Sequence, residues 1–374
     1  MHKEKKKIQE EALNALLSNG GKGLIAMATG SGKSKVAIDY LKKKTNKDSR
    51  ILLVVPTEKL RDRDWENEFS RWNAKRIYNR IDRECYASIK KIENRYYDVV
   101  ILDEIQFITP NNAEFFEKNH IENIVGLSAT PPHESEKREI LNRLGVHVVY
   151  ELPLDEAVKR GIVAPFEIYL VSIDLDDKIK YIKAGTKKKP FYTTEKKNYD
   201  YLTKKIEKLK ITPSPYERIK FVRLERMRFL YNLRSKVEVA KHLLGKIPEN
   251  ERTLIFAGSI KVAEELEPHT FHSKSTNKDF DDFVHERINR LSAVQALNVG
   301  VNIPNLDNAV IQQTQSKERH LVQRIGRIVR WRENHKAKIY ILYVRDTVDE
   351  EWVKNAISNI DEQNIKHIRY KHNY

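Results

Sequence analysis

Short apolar runs alternate with helix-period stretches along the first part of this chain. Leu24–Met27, Ile51–Val55, Val99–Leu102 and Ile124–Leu127 are almost wholly apolar, the pattern of strands buried on both faces. Between them, Ser34–Lys44 and Lys59–Trp72 carry apolar residues at helical spacing. This alternation predicts a parallel sheet flanked by helices. The pattern returns later, with strands predicted at Thr253–Phe256, Leu291–Val294, Ala309–Gln312 and Lys338–Val344, and helices at Ile260–Leu266 and Glu318–Ile325. The chain thus predicts two α/β blocks. From Tyr216 to Leu244 there is no Gly or Pro, and Ile219, Val222, Met227, Leu230 and Leu233 fall near helical spacing. One long helix is expected there, with Gly245 as its stop. Lys178–Ile211 is less regular.

The length of 374 residues agrees with two domains, at roughly 150 residues each. No apolar run approaches the ~20 residues of a membrane-spanning helix, and the segment from Met1 to Lys7 lacks the apolar core of a secretory signal. The single cysteine, Cys85, excludes an internal disulfide and a zinc site built on several cysteines. A soluble, intracellular protein is expected.

Charge divides the chain unevenly. The formal net charge is +16. Between Lys178 and Lys236 there are 19 Lys or Arg against 5 acidic residues, a net +14, so the rest of the chain is nearly neutral. The same segment holds nine aromatics: Tyr181, Phe191, Tyr192, Tyr199, Tyr201, Tyr216, Phe221, Phe229 and Tyr231. Cations offset phosphates and rings stack on bases, so this composition suits a nucleic-acid surface. A solvated helical face with inward-packed rings is the competing reading.

The clearest motif is Met27-Ala-Thr-Gly-Ser-Gly-Lys-Ser34, which follows a predicted strand and opens a predicted helix. Thr29, Gly30, Ser31 and Gly32 form a loop whose N–H groups can curl around phosphate oxygens at a helix N-terminus. Lys33 is placed to reach the β and γ phosphates, and the Ser34 hydroxyl to ligate Mg²⁺. Met27 stands where the first glycine of such loops usually lies. Downstream, the apolar run Val99–Leu102 ends in Asp103-Glu104. Asp103 is placed to hold Mg²⁺, and Glu104 to orient or deprotonate an attacking water.

These residues resemble a superfamily 2 helicase or translocase. Gln106 and the run Ser128-Ala129-Thr130 match motifs II and III, and Val55-Pro56-Thr57 resembles motif Ia. Leu254–Ser259, Ala296–Pro304 and Gln323–Arg330 resemble motifs IV, V and VI. The resemblance spans about Gln9 to Arg330 and implies two RecA-like parallel-sheet domains in tandem, an α/β fold sharing ATP and Mg²⁺. The first domain is expected over 1–160 and the second over 161–374, with a basic, mainly helical insertion at about 178–236. By the same resemblance, Gln9 contacts adenine and Gly300 belongs to the nucleotide or track surface. Gln323 touches the γ-phosphate or its water, and Arg327 and Arg330 act as arginine fingers. Gln106, Ser128 and Thr130 couple the ATP site to motion. Two positions depart from the family pattern: Gln106 replaces a frequent His or Asp, and Asn302 a frequent Asp.

In the family, motifs Ia, IV and V face the nucleic acid, so Pro56, Thr57, Ser259 and Gly300 are expected to touch its backbone. Lys187, Lys188, Lys189, Lys196 and Lys197 are further expected contacts. Motif VI lacks the His-Arg-x-Gly-Arg-x-Gly-Arg form of DEAD-box RNA helicases. The run Ala157–Glu167 resembles the linker of DNA-acting relatives: phage branch-migration helicases, XPB-like proteins and restriction-enzyme motor subunits. The expected partner is DNA, single-stranded, duplex or branched, bound by a monomer. An ATP-dependent clamp or annealing factor, and an RNA helicase, are the alternatives.

Overall fold

The computed structural model describes residues 2–132, 134–186, 188–212, 215–294, 303, 305–314, 336–358 and 360–370. The described chain separates into two compact units, one over 2–165 and one from Phe166 onward.

In the first unit the strands are β1 (Gly23–Met27), β2 (Ile51–Val55), β3 (Asp82–Cys85), β4 (Tyr96–Asp103), β5 (His120–Ser128) and β6 (Val148–Leu152). They form one parallel sheet in the order β3-β2-β4-β5-β1-β6. Every residue of β1 and β2 is buried, as their unbroken apolar sequences require. β4 and β5 start further upstream than the apolar runs predict, because the first residues of β4 alternate half-buried and buried and those of β5 are exposed or half-buried. The flanking helices are α1 (His2–Ser18), α2 (Lys33–Lys44), α3 (Trp65–Arg71), α4 (Lys75–Tyr78), α5 (Ala113–Lys118), α6 (Ser135–Arg143) and α7 (Leu154–Lys159). The helix expected over Lys59–Trp72 is split: a π-helical turn at Leu60–Asp64 precedes α3. Leu52, Val54, Val100, Leu102, Phe115 and Ile124 pack into the core on one side of the sheet.

The second unit holds β7 (Phe166–Ile173), β8 (Ile182–Thr186), β9 (Lys189–Thr193), β10 (Thr253–Phe256), β11 (Thr270–Phe271), β12 (Arg290–Ala293), β13 (Asn308–Ile311), β14 (Ala337–Val344) and β15 (Ile365–Arg369). Seven of them make a second parallel sheet, β11-β12-β10-β13-β14-β7-β15, and β8 and β9 form a separate antiparallel hairpin. The helices are α8 (Glu195–Ile211), α9 (Tyr216–Tyr231), α10 (Arg234–Lys246), α11 (Ile260–Leu266), α12 (Lys278–Val284) and α13 (Val348–Ile357). The helix Glu318–Ile325 lies outside the described residues. No helix among those described is long and apolar enough to cross a membrane.

The long helix expected from Tyr216 to Leu244 is two helices. Asn232 ends α9, its side-chain N–H donating to the Arg228 carbonyl at 2.7 Å. Leu233 is extended, and α10 then runs through Gly245 to Lys246. Pro248 sets that end, because the residue before a proline is driven out of the helical region and Ile247 adopts ψ 126.

A buried ion pair lies where α10 and α13 meet β14. Lys236 Nζ sits 2.7 Å from Asp349 Oδ2 and 2.9 Å from Gln313 Oε1, and both charged side chains are wholly buried. Burial pulls the Lys236 pKa down, and Asp349 opposes the pull. Asp349 also accepts the Val344 N–H at 3.0 Å and the Gln313 amide at 3.0 Å. Removing the cation leaves a dry carboxylate without its counter-charge. Lys236→Ala is therefore expected to cost about 3–5 kcal/mol, read as a fall in the urea midpoint of far-UV circular dichroism.

Candidate ATP site and nucleic-acid interface

Parallel strands place all their carboxyl ends on one edge of a sheet, where ligands bind in α/β folds. In the first unit that edge carries, in sheet order, Pro56-Thr57 after β2, Asp103-Glu104 after β4, Ser128–Thr130 after β5, and the phosphate loop after β1. The register sets Asp103 beside Leu127 and Ala26 beside Ser128. Motifs scattered over about a hundred residues thus come together without any long loop reaching across.

The phosphate loop needs its glycines. Gly30 has φ 86° and Gly32 φ 102°, both in the left-handed region. A Cβ on Gly32 would lie 2.2 Å from Gln9 Nε2. Gln9 is 8% exposed and donates to the Ser31 carbonyl at 3.0 Å. Its amide N–H therefore braces the loop backbone. Lys5, also on α1, donates to the Gly30 carbonyl at 2.7 Å. Inside the loop, Ser31 Oγ donates to the Ala28 carbonyl and Lys33 Nζ to the Met27 carbonyl, at 2.7 and 2.8 Å. Thr29 and Ser34 are half-buried on either side of these contacts.

Asp103 is held by two aromatic donors. Trp65 Nε1 donates to its carboxylate at 2.8 Å, and the Tyr86 hydroxyl to its carbonyl at 3.1 Å. Burial pushes the Asp103 pKa up to about 7, and the Glu104 charge adds to the rise. The Trp65 hydrogen bond and the Lys33 cation pull the other way. A carboxylate this reluctant to carry its charge alone gains from a cation. Asp103 and the Ser34 hydroxyl are the hard oxygen donors that suit Mg²⁺.

Glu104 sits at φ 50°, a left-handed conformation that costs a non-glycine residue about 1–2 kcal/mol. Its carboxylate accepts from Gln106 Nε2 at 2.6 Å, and Gln106 Oε1 accepts from Ser128 Oγ at 2.7 Å. Ser128 Oγ in turn accepts the Thr130 N–H at 3.0 Å. These partners assign the Gln106 amide orientation, since the reverse would set oxygen against carboxylate. Lys137 donates to the Gln106 carbonyl at 2.8 Å. A hydrogen-bonded chain therefore runs from Glu104 through Gln106 and Ser128 to Thr130.

Trp65, Tyr86 and Lys137 were not legible as site residues. The one available signal was Trp65, a tryptophan at a core position of an amphipathic stretch, because a buried indole N–H needs an acceptor. Trp65 packs on Phe69 at 5.7 Å between ring centroids, and Phe69 on Tyr78 at 5.5 Å.

The expected nucleic-acid contacts fall into three groups. Thr57 is exposed at the end of β2. Ser259 caps α11 by accepting the Val262 N–H at 3.3 Å, and its hydroxyl donates to Asn232 at 2.6 Å. Lys188 and Lys189 are exposed at the tip of the β8–β9 hairpin, and Lys196 and Lys197 on the first turn of α8. Along α8, Lys197, Tyr201, Lys204 and Lys208 recur at helical spacing and are all exposed, so they share one stripe. Lys187, Gly300, Asn302, Gln323, Arg327 and Arg330 lie outside the described residues.

Comparison with known proteins agrees with this arrangement. Residues 2–133 match the family of the type III restriction enzyme res subunit, and residues 235–332 match the helicase conserved C-terminal domain. The chain belongs to superfamily 2 of the helicases and translocases, whose members are ATP-dependent. It is 22% identical over 371 residues to the DNA 3'-5' translocase XPB2 of Sulfurisphaera tokodaii, spanning 91% of this chain and 82% of that protein. Its fold resembles that of the ATP-dependent type ISP restriction-modification enzyme LlaBIII bound to DNA, with a TM-score of 0.62 at 13% identity. That likeness covers 97% of this chain and 31% of the larger enzyme. It also resembles the fold of S. cerevisiae Dbp5 bound to RNA, with a TM-score of 0.60 at 14% identity, covering 97% of this chain and 89% of that one. Two parallel sheets in succession are what tandem RecA-like domains contain.

Trp65→Phe keeps a ring in the core and deletes the donor to Asp103. A hydrogen bond to a charged group is worth about 1.5–3 kcal/mol. The substitution is therefore expected to lower kcat/KM for Mg·ATP by about tenfold or more, with the melting temperature nearly unchanged. A Mg²⁺ titration of ATPase activity beside a thermal melt checks both halves.

Proposed function

We propose that this protein is a DNA-dependent ATP hydrolase of the helicase and translocase class. It couples turnover between a first domain, about 1–160, and a second, about 161–374, to movement on or remodelling of DNA. The observation that carries the reading is the edge of the first sheet. There the phosphate loop shares one edge with the Asp103-Glu104 pair and the Ser128–Thr130 turn, and a chain of hydrogen bonds joins Glu104 to Thr130. Mg·ATP, when bound, supplies the phosphoryl group and the cation that neutralises it. Lys33 pairs with phosphate oxygens, Asp103 and Ser34 serve the metal, and Glu104 accepts the proton of the attacking water. Gln106 holds the Glu104 carboxylate against rotation and ties it to Ser128. By the family resemblance, Gln323, Arg327 and Arg330 act on the γ-phosphate during turnover.

DNA is favoured by the matched translocase named for it and by the local charge of the segment 178–236. That segment acts as an insertion gripping the phosphate backbone through Lys188, Lys189, Lys196, Lys197 and the α8 stripe. Such contacts position a strand without reading its sequence. RNA is the second reading, favoured by the likeness to the fold of Dbp5 bound to RNA.

The deciding experiment is ATPase activity measured against single-stranded DNA, duplex, fork, four-way junction and RNA in one salt series. DNA is expected to stimulate more strongly than RNA, and activity indifferent to every nucleic acid refutes the assignment. Lys33→Ala is expected to abolish turnover. Glu104→Gln is expected to lower kcat by about 10²–10⁴ while ATP binding persists, and normal turnover in this variant removes Glu104 from its role. Replacing Lys187, Lys188, Lys189, Lys196 and Lys197 by Ala is expected to weaken DNA binding. Each lost phosphate contact flattens the plot of log affinity against log salt by about 0.9. Unchanged affinity across the salt series excludes this segment as the grip.

A further inference from the structure

The β8–β9 hairpin pairs with neither parallel sheet. A lone two-stranded hairpin is marginal in water, so its order has to come from its root. That root is Glu195, a carboxylate with no exposed surface. It accepts the Asp176 N–H at 3.1 Å, the Tyr181 hydroxyl at 2.6 Å and the Ser235 N–H at 3.1 Å. Thr194, beside it, donates to Asp177 at 3.0 Å. One buried anion thus fastens the approach to β8, the start of α8 and the start of α10 to each other.

Beyond that root the hairpin is open to solvent. Phe191 is 57% exposed and Tyr192 61%, and they are successive residues of β9. Successive side chains leave a strand on opposite faces, so each face of the hairpin carries one ring. The Phe191 ring is also pre-positioned. Gly185, on the partner strand, has φ 89°, and a Cβ there would lie 2.4 Å from the Lys189 carbonyl oxygen and 3.0 Å from Phe191 Cδ1. The ring therefore packs across the glycine, and what remains of it faces water. Elsewhere in the basic segment Tyr199 and Tyr231 are buried, while Tyr201, Tyr216 and Phe221 are exposed singly along α8 and α9. Lys183, Lys188 and Lys189 surround the exposed pair.

We propose that the β8–β9 hairpin is a stacking site for the unpaired bases of a nucleic-acid strand, with Phe191 and Tyr192 as its two platforms. Resting on the nucleic-acid reading above, this goes further by naming the substrate feature recognised. A blunt duplex keeps its base faces inside its own stack and offers the rings nothing. An unpaired strand offers both bases for the rings and phosphates for the lysines. The preferred substrates are then single strands, tailed duplexes and forks.

The test uses the full chain and the paired substitution Phe191→Ala, Tyr192→Ala, made where little packing is lost. Binding is measured by fluorescence anisotropy to a labelled single strand, to an abasic strand of equal charge and to a blunt duplex. The substitution is expected to weaken binding of the base-bearing strand about tenfold or more and to leave the abasic strand and the duplex unchanged. Phe191→Trp with Tyr192→Trp is expected to restore the loss. An equal loss on all three ligands, or no loss on any, overturns the proposal. So does a wild-type dimer that the paired alanines convert to monomer in sedimentation, because the rings would then belong to an interface between copies. Failure of the broader reading looks different: no nucleic acid binds the wild type or stimulates its ATPase.

Discussion

The placement of Ser128 is the constraint on which the first unit depends. β5 lies between β4 and β1 in the sheet, so its end necessarily falls between the acidic pair and the phosphate loop. A residue there can touch the Asp103-Glu104 side only if it is small, polar and buried, and Ser128 is all three. Everything else at this edge is arranged around it. Gln106 spans the gap to Glu104, Thr130 turns back onto the Ser128 hydroxyl, and Lys137 holds the Gln106 backbone. Were β5 at the rim of the sheet, the same motifs would occur in the same order and never meet.

The second unit relies on buried charge in another way. Lys236 with Asp349, and Glu195 with its three donors, are anchors in low-dielectric surroundings. Both sit where the basic segment joins the parallel sheet. Gln312 strengthens the junction: its side-chain oxygen accepts the Gly258 N–H at 3.0 Å and its amide donates to the Tyr231 carbonyl at 3.1 Å. Satisfied networks of this kind hold their members in one arrangement more than they add stability. The motif IV turn, the end of α9 and the chain after β13 thus belong to one polar cluster. A force on the basic helices has a short, stiff route into the sheet.

Much of this was legible in the sequence. The strands whose apolar runs are unbroken, β1, β2 and β10, were read nearly residue for residue, because full burial leaves no alternation to confuse. The edge strands were missed. β3 is Asp-Arg-Glu-Cys and β15 is Ile-Lys-His-Ile-Arg, each largely accessible, and charged edges of this type resist unwanted pairing at the cost of any apolar pattern. β7 escaped because its start at Phe166 lay inside a stretch resembling an interdomain linker. The phosphate loop and the acidic pair were visible from spacing alone. The indole donor to Asp103 was not, since it arrives from a helix 38 residues away through a contact that only the folded register creates. Among the nine rings of the basic segment, composition could not separate the covered Tyr199 from the bare Phe191.

The glutamine at the centre of the Glu104–Ser128 link has a consequence of its own. Relatives that carry His or Asp at this position place a titratable group in the path. A histidine there would change its donor pattern near neutral pH, and a carboxylate would repel the one it must hold. Gln106 has no proton to gain or lose and still offers one donor and one acceptor. Gln106 therefore adds no titrating group between the Glu104 carboxylate and the turn after β5. What Gln106 itself passes on is carried by side-chain position alone.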